Sequence, residues 1–411
     1  MNNCPLKKYA DYVSEKISTN QLNVSDYVTT DNILQNKQGI TLASSLPAQS
    51  GKVTKYRTGD ILLANIRPYL KKIWFSQKTG GCSADVLVFR AKENINPNFL
   101  YYALFRDDFF NHVMNGAKGT KMPRGDKTQI MEFSIPEFDK NIQNKIAQTL
   151  SCLDKKIELN NRINAELEAM AKTLYDYWFV QFDFPDANGK PYKTSGGKMV
   201  YNPTLKREIP DGWDVGALGQ YLSFKRGISY TSQDIQDAGI PLINLNSFTL
   251  AGKFKYEGTK YFNGKYRAEN LLSAGELVIA ITDVTRNADI IGKAFVIPDI
   301  FQTKPLMSCD VASVSSARFG NSYLEQLFNS THYHEYIKHF ASGTLVLHLD
   351  LNGVNWFKSF IPPVELLAHY EATCEQLLKQ RDIVIKENLL LKQLRDWLLP
   401  MLMNGQVTVN S

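Results

Sequence analysis

The sequence lacks the features of a membrane, secreted or disulfide-bonded protein. No apolar run approaches the roughly 20 residues that a membrane-spanning helix needs. The N-terminus, Met1-Asn2-Asn3-Cys4-Pro5, leads into polar sequence and not into the apolar stretch of a signal peptide. The five cysteines are dispersed and form no CxxC pair. We therefore expect reduced thiols, a cytoplasmic location and no zinc site.

Catalytic motifs are also missing. Gly196-Gly197-Lys198-Met199 is not a P-loop, no G-x-G-x-x-G follows a strand, and no Asn-Pro-Pro-Tyr-like methyltransferase signature occurs. No pair of carboxylates with a lysine forms a convincing nuclease pattern. His332, His334 and His339 are close in sequence, but no carboxylate or cysteine pair flanks them, so we expect no metal site. The sequence predicts a chain that performs no chemistry and holds no cofactor itself.

Charge is unevenly placed along the 411 residues, which are enough for two or three domains. The formal net charge is +6. Residues 1–138 carry 18 Lys and Arg against 12 Asp and Glu, whereas residues 211–363 carry 13 against 14. The first segment therefore suits either a polyanion contact or an ordinary solvated surface. The second segment could bind a polyanion only through a local patch.

The chain contains a repeat of itself at an offset of 224 residues. Each half is strand-rich, then contains a short helix and a glycine-containing loop, and ends in a long heptad-patterned helix. Two similar domains suggest one ligand with two separated sites. The residues matched outside the helices are Leu100 with Leu324, Gly119-Thr120 with Gly343-Thr344, and Asp126 with Asp350.

The two long helices carry matching apolar stripes with alternating steps of four and three residues, the spacing of a coiled coil. We expect the helices to pair antiparallel, with facing residue numbers summing to about 540. In that register Asn160 faces Gln380 and Lys156 lies near Glu387, a polar layer that fixes the register. The alternative is that each helix packs only on its own domain. The stripe positions are Ile142, Ile146, Thr149, Leu153, Lys156, Asn160, Ile163, Leu167, Met170, Leu174 and Tyr177, with the residues 224 positions later.

These patterns predict an α+β protein with two pseudo-symmetric globular segments separated by two long antiparallel coiled-coil helices. Strands are expected at Ile61–Ala64 and 86–89, and one short helix each at 99–110 and 323–340. A Pro- and Gly-rich linker or irregular excursion is expected between the halves. The predicted segments are the globular regions 1–138 and 211–363, the long helices 139–181 and 364–404, the linker 182–210 and the tail 405–411.

Candidate ligand-binding residues lie in corresponding loops of the repeat. Cations and flexible glycine-containing backbone suit phosphate contacts, and Arg and Asn side chains bond guanine and adenine edges. The alternative for any single candidate is that it is an ordinary surface residue with no role in binding. In the first half the candidates are Asn65, Arg67, Tyr69, Lys71, Lys72, Lys118, Thr120, Lys121 and Arg124. In the second half they are Lys225, Arg226, Tyr230, Asn244, Thr285, Arg286, Asn287, Ser342, Thr344 and His348.

The spacer geometry points to DNA. Two reading modules on a rigid spacer would contact successive grooves about 34 Å apart. Because the loops differ between the halves, the two half-sites should differ, and the target should be asymmetric and split.

The order and duplication of several short motifs resemble the specificity subunits of type I restriction-modification systems. The resemblance covers nearly the whole chain. The first half departs from the pattern because it lacks the Pro-x-Gly-Trp opening. The motifs are Ile209-Pro-Asp-Gly-Trp213, Gly59-Asp60 and Gly275-Glu276, Gly119-Thr120 and Gly343-Thr344, the Ile-Pro before each long helix, and Leu399-Pro-Met-Leu-Met-Asn-Gly-Gln406.

The resemblance implies two target recognition domains, 1–138 and 211–363, that read the halves of a bipartite double-stranded DNA site. It implies that the helices set the gap and bind two modification subunits. Those partners would carry S-adenosylmethionine and methylate adenine, and restriction subunits would add ATP- and Mg-dependent translocation and cleavage. Two alternatives remain: a coiled-coil interaction scaffold without DNA specificity, and the recognition arm of a self-sufficient restriction enzyme.

Overall fold

The computed structural model describes residues 2–47 and 51–407. They form two compact units. Unit 1 runs to Leu159 and resumes at Leu389, and unit 2 runs from Asn160 to Asn388. Each unit therefore combines one strand-rich region with part of each long helix. No helix in these described ranges is long and apolar enough to cross a membrane.

Unit 1 is built on two four-stranded sheets and a two-stranded ribbon. The sheet orders are β2-β9-β6-β7 and β3-β5-β8-β4, and β1 pairs with β10. The strands at Ile61–Ala64 and 86–89 are confirmed by β6 and β9. In chain order the strands are β1 (Asn3–Pro5), β2 (Ala10–Tyr12), β3 (Lys16–Ser18), β4 (Tyr27–Val28), β5 (Lys52–Tyr56), β6 (Ile61–Ala64), β7 (Ile73–Phe75), β8 (Gly80–Cys82), β9 (Val86–Ala91) and β10 (Ser134–Pro136).

Unit 2 repeats this plan with additional strands. Its four-stranded sheets have the orders β14-β22-β18-β20 and β15-β17-β16-β21, and its ribbon pairs β13 with β25. The strands are β11 (Met199–Asn202), β12 (Arg207–Pro210), β13 (Asp214–Ala217), β14 (Leu222–Arg226), β15 (Ile235–Gln236), β16 (Ile240–Ile243), β17 (Lys260–Phe262), β18 (Leu277–Ala280), β19 (Thr282–Asp283), β20 (Ala294–Val296), β21 (Leu306–Met307), β22 (Val311–Ser316), β23 (Ala341–Ser342), β24 (Leu347–Leu349) and β25 (Lys358–Ile361).

The helices repeat in the same order. Unit 1 holds α1 (Pro97–Phe105), α2 (Asp107–Asn115), α3 (Lys127–Ile130) and the first part of α4 (Lys140–Tyr175), which a π-helical turn extends to Val180. Unit 2 holds α5 (Asn321–Asn329), α6 (Thr331–Ile337) and α7 (Leu351–Trp356). The last helix, α8, covers Val364–Met403.

The single short helix expected in each half is wrong, because two helices are present. Arg106 interrupts the first with an extended backbone, and α2 then begins with Asp107 and Asp108, which suit the positive end of a helix dipole. Ser330 interrupts the second, where its side chain caps α6 by accepting the Tyr333 N–H at 3.3 Å. Short polar residues at these points favour a new N-terminus over a continuous helix.

The heptad spacing of α4 and α8 is confirmed, but half of the predicted stripe is wrong by one residue. Ile146 and Asn160 are buried as expected, whereas Ile142, Ile163 and Met170 are exposed. The neighbouring positions 143, 150 and 157 are buried in their place, and so are 367, 374 and 381 of α8. Adjacent positions are rotated by about 100° around the helix axis. Because apolar residues occupy both the buried and the exposed positions, an apolar side chain does not by itself show which stripe faces the partner helix.

The antiparallel pairing of the helices is present within each unit. In unit 1, Ile146 and Leu150 share a core with Leu399 and Leu402, and the Arg395 guanidinium lies 2.8 Å from Asp154. In unit 2, the Asn160 Nδ2 donates to the Glu387 carboxylate at 2.7 Å.

The expected pairing of Asn160 with Gln380 is wrong, and Gln380 is exposed. The observed contact differs from the expected one by seven residues, one heptad. Shifting one helix by a full heptad preserves the face that each residue presents, so the spacing could not reveal the error. The proximity of Lys156 to Glu387 stays a prediction.

The segment 182–210 carries the hairpin of β11 and β12 and contributes to the core of unit 2. Phe182 and Phe184 are buried, and their rings pack on Trp213 at centroid distances of 5.5 and 5.3 Å. The Asp183 carboxylate accepts the N–H and the hydroxyl of Thr194. Residues 408–411 of the predicted tail lie outside the described residues.

Candidate nucleic-acid interface

A short hairpin, 118–124, carries the basic loop of unit 1. We call it hairpin 1. Lys118 and Arg124 exchange two backbone hydrogen bonds of 2.9 Å, and Arg124 also forms a β-bridge with Ile66. Gly119 has a φ of +98°, a backbone conformation that glycine adopts without strain. The pairing brings the segment after β6 beside the basic loop, two regions that are about 50 residues apart in sequence.

Asn65 and Asp126 anchor the base of hairpin 1. The buried Asn65 side chain donates from Nδ2 to the Gly125 carbonyl oxygen at 3.2 Å. The Asp126 carboxylate accepts the backbone N–H groups of Thr128 and Gln129 and so caps α3. These hydrogen bonds lower the pKa of Asp126, with Lys118 contributing through its ammonium group. Asn65 therefore holds the loop, and its burial keeps it from reaching a base edge in this conformation.

The exposed candidates of unit 1 surround hairpin 1. Lys118 lies 3.2 Å from Asp126, and Arg124 lies 3.1 Å from Asp85, so both cations have a carboxylate neighbour on an exposed surface. Such pairs contribute little stability, and the cations can exchange these partners for phosphates. The exposed candidates are Arg67, Tyr69, Lys118, Thr120, Lys121 and Arg124.

Lys71 and Lys72 are only partly exposed, and their ammonium groups bind other parts of unit 1. The Lys71 ammonium lies 3.0 Å from the Asp107 carboxylate at the start of α2. Lys72 is partly buried and donates to the Thr30 carbonyl oxygen, and burial lowers the pKa of its ammonium group. Both side chains connect the segment after β6 to neighbouring parts of unit 1.

Unit 2 contains the equivalent hairpin at the same sequence offset. We call 342–348 hairpin 2. Its strands β23 and β24 pair Ser342 with His348, and β24 also pairs with β19, where Thr282 faces His348. The residues that correspond to Ser342 and His348 are Lys118 and Arg124 of hairpin 1. Ser342, Thr344 and His348 are exposed.

The loop after β19 lies next to hairpin 2. The fully buried Asp283 carboxylate accepts the N–H groups of Thr285 and Ile291 at 2.7 and 2.9 Å, and that of Ile290. The Thr285 hydroxyl accepts the Asp289 N–H, so it is committed to the loop. Arg286 and Asn287 are exposed on the tip. The strand pairing thus gathers Arg286, Asn287 and hairpin 2, which sequence reasoning had named separately.

The remaining candidates of unit 2 lie on other elements. Lys225 and Arg226 are exposed on the edge strand β14, where the Lys225 ammonium donates to the Glu269 carbonyl oxygen. Asn244 is buried, and its Oδ1 accepts the Asn246 N–H at 2.9 Å. Tyr230 is partly buried, and this burial raises the pKa of its phenol. Asn244 and Tyr230 therefore contribute to the packing of unit 2 and are not free on its surface.

Sequence reasoning missed two exposed groups in unit 2. Lys265, Tyr266 and Arg267 form an exposed basic turn after β17, which the near-neutral charge of the whole segment concealed. Val284, Leu345 and Val346 are also exposed, with 64%, 87% and 40% of their surface accessible. No group of three or more His, Cys, Asp or Glu side chains that could hold a metal occurs in the described part of the chain.

Comparison with known proteins identifies the class of this molecule. Residues 3–169 match the family described as "Type I restriction modification DNA specificity domain". The chain contains a type I DNA specificity domain. This match includes hairpin 1, the candidates after β6 and most of α4.

Two relatives extend the match beyond this specificity domain. The type I restriction enzyme MjaIX specificity subunit of Methanocaldococcus jannaschii is 25% identical over 77% of this chain and 71% of its own length. The HindI specificity subunit of Haemophilus influenzae is 24% identical over 93% of this chain and 94% of its own length. The chain is thus a homologue of type I specificity subunits, and no match supports a scaffold without DNA specificity.

A solved structure supports the fold independently. The type I restriction-modification S subunit from M. genitalium aligns over 98% of this chain and 96% of its own, with a TM-score of 0.57 and 16% identity. At this identity the likeness concerns the fold alone. The predicted α+β class is confirmed.

Proposed function

We propose that the chain is the DNA-recognition subunit of a type I restriction-modification complex, in which each strand-rich region reads one half of a bipartite site. The observation that carries this proposal is the equivalence of hairpins 1 and 2. They occupy matching positions in the two units, each beside the segment that follows a buried strand. One of them lies inside the matched DNA specificity domain.

The two hairpins differ in sequence, so the half-sites that they contact should differ as well. Hairpin 1 presents Lys118, Lys121 and Arg124, whereas hairpin 2 presents Ser342, Thr344 and His348. Lysine and arginine bond phosphates and guanine edges, whereas Ser, Thr and His offer a different set of donors and acceptors to phosphates and base edges. The target is therefore an asymmetric sequence.

Both long helices present an outer apolar stripe that suits partner proteins. Two pairs of its members repeat at the 224-residue offset: Leu159 corresponds to Ile383, and Met170 corresponds to Leu394. All four are more than two-fifths exposed. Repeated apolar surface on a helix marks a docking site, and the repetition favours two copies of one partner, the modification subunit. The stripe consists of Ile142, Leu159, Ile163 and Met170 of α4, Tyr177 of the π-helical turn that follows it, and Ile383, Leu390, Leu394 and Trp397 of α8.

In this proposal the chain contributes recognition and assembly, and its partners perform the chemistry. The modification subunits bind S-adenosylmethionine and methylate adenine, and restriction subunits use ATP and Mg. The helices set the distance between the half-sites, and the complex acts on cytoplasmic DNA. The relatives are named as subunits of type I restriction enzymes, which supports an assembly of this kind.

The test is to co-express the chain with the modification subunit encoded beside it and to map N6-methyladenine across the host genome. We expect one split, asymmetric motif that disappears when the gene for this chain is deleted. Methylation that persists without the chain, or a stable complex that methylates no defined motif, would contradict the proposal.

A further inference from the structure

Hairpins 1 and 2 are structurally equivalent but chemically opposite. Lys118, Lys121 and Arg124 of hairpin 1 correspond to Ser342, Leu345 and His348 of hairpin 2. Leu345 has 87% of its surface accessible, the largest value among the large hydrophobic residues of the described chain. Val346 and Val284 are exposed beside it, since Val284 follows the strand that pairs with β24. From 341 to 347 the sequence contains no charged residue.

The exposure of this apolar tip is built into the backbone. Gly343 has a φ of +135°, and a Cβ atom there would lie 2.1 Å from the Val346 carbonyl oxygen, so only glycine fits the turn. Strand pairing on both sides of β24 fixes the rest of the hairpin. The buried Asp283 carboxylate holds the neighbouring loop through three backbone N–H groups. The aliphatic side chains are therefore held outward by a defined structure.

A single exposed leucine is ordinary, but this tip occupies the position at which its counterpart carries three cations. If hairpin 1 contacts DNA, then hairpin 2 is placed to do so with an apolar tip that carries no Lys or Arg. The major groove is about 12 Å wide and admits a two-stranded ribbon. The apolar group that base pairs display in that groove is the C5-methyl group of thymine.

We propose that Leu345, supported by Val346 and Val284, contacts thymine methyl groups in the half-site that unit 2 reads. This inference rests on the proposed function and adds a base preference to it. Hairpin 1 then supplies mainly phosphate contacts, and hairpin 2 supplies apolar base readout. The half-site of unit 2 must contain at least one A·T pair under the hairpin.

The test uses the full chain in complex with its modification subunit and a duplex carrying the mapped target. Each thymine of the relevant half-site is replaced in turn by deoxyuridine, which removes only the methyl group. We expect one or two positions to weaken binding about fourfold each, the size expected for one buried methyl group. The Leu345→Ala complex should bind the unmodified duplex more weakly and lose nothing further with deoxyuridine.

Lys121→Ala is the matched control, because Lys121 occupies the same hairpin position in unit 1. Its complex should bind more weakly yet keep the full deoxyuridine effect in the other half-site. Circular dichroism of both variants checks that the fold is intact, as expected for substitutions at exposed positions.

Three results would overturn the inference: a half-site made only of G·C pairs, deoxyuridine substitutions without effect, or a deoxyuridine effect that persists in Leu345→Ala. A rise in 2-aminopurine fluorescence that depends on Leu345, without any deoxyuridine effect, would replace methyl contact with insertion between bases. Failure of the proposed function itself would look different, since the wild-type complex would then bind target and scrambled duplexes equally.

Discussion

At the scale of residues, exposure separates the candidate DNA contacts into two groups. Arg67, Lys121 and Arg286 are exposed at or beside the hairpins, whereas Asn65 and Asn244 are buried and bonded to backbone groups. An amide that could bond adenine in principle can also anchor a loop. Sequence alone does not distinguish these roles, because both favour Asn next to a turn.

Lys121 provides the residue-scale prediction. Lys121→Ala should weaken binding to specific and non-specific DNA alike and should reduce the slope of log K against log salt by about 0.9, the value for one phosphate contact. Binding is measured from about 50 to 200 mM salt. Lys190→Ala, another exposed lysine but far along the chain in the 182–210 segment, is the control and should leave the slope unchanged. An unchanged slope for Lys121→Ala would remove this residue from the phosphate contacts.

At the scale of elements, the pairing of α4 with α8 depends on a polar layer in an otherwise apolar seam. Asn160 is fully buried and donates to Glu387, and the Asn388 Nδ2 donates to Asn161 at 2.9 Å. A polar group inside a helix pair specifies register because other registers leave it without a partner. The polar layer therefore serves mainly to fix the register of α4 against α8.

A double-mutant cycle tests this register. Asn160→Ala should lower the free energy of unfolding by about 1–3 kcal/mol, because it removes a buried hydrogen bond to a charged group. Asn160 and Glu387 should show a coupling energy of at least about 0.5 kcal/mol, while Asn160 and the exposed Gln380 should show none. The measurement is chemical denaturation of each single and double variant. Coupling to Gln380 instead would restore the register in which facing residue numbers sum to about 540.

The outer stripe gives a second element-scale prediction. Met170→Glu and Leu394→Glu occupy equivalent positions of the two helices, so each should weaken one partner contact by placing a carboxylate on an apolar surface. We expect each single variant to bind one modification subunit and the double variant to bind none, as measured by native mass spectrometry. Lys172→Glu, an exposed position two residues from Met170 and therefore on another side of the helix, is the control. Two bound copies on the double variant would place the docking surface elsewhere.

At the scale of the whole molecule, the internal repeat divides recognition into two parts. Replacing residues 1–138 by the corresponding region of another specificity subunit should change one half of the methylated motif and leave the other half and the gap unchanged. Genome-wide mapping of N6-methyladenine measures all three at once. Changes in both halves would show that the two regions do not read DNA independently.

The sequence by itself determined the repeat, the α+β class and the heptad spacing of two long helices, because these depend on periodicity and on local backbone preferences. The buried strands β6 and β9 followed from their apolar runs, and α8 ends at Met403 where Asn404 and Gly405 favour termination. Each of these features is specified within a few neighbouring residues.

Tertiary structure alone decided the helix register, the face that each apolar stripe presents and the surroundings of each candidate contact. A shift of one heptad leaves the local pattern intact, so the register is decided by contacts between the helices, such as Asn160 with Glu387 and Asn388 with Asn161. Likewise, Leu345 is an apolar residue whose exposure the sequence does not reveal, and the pairing of β24 with β19 and β23 holds it at an exposed tip. These properties arise from contacts between distant segments, which periodicity cannot encode.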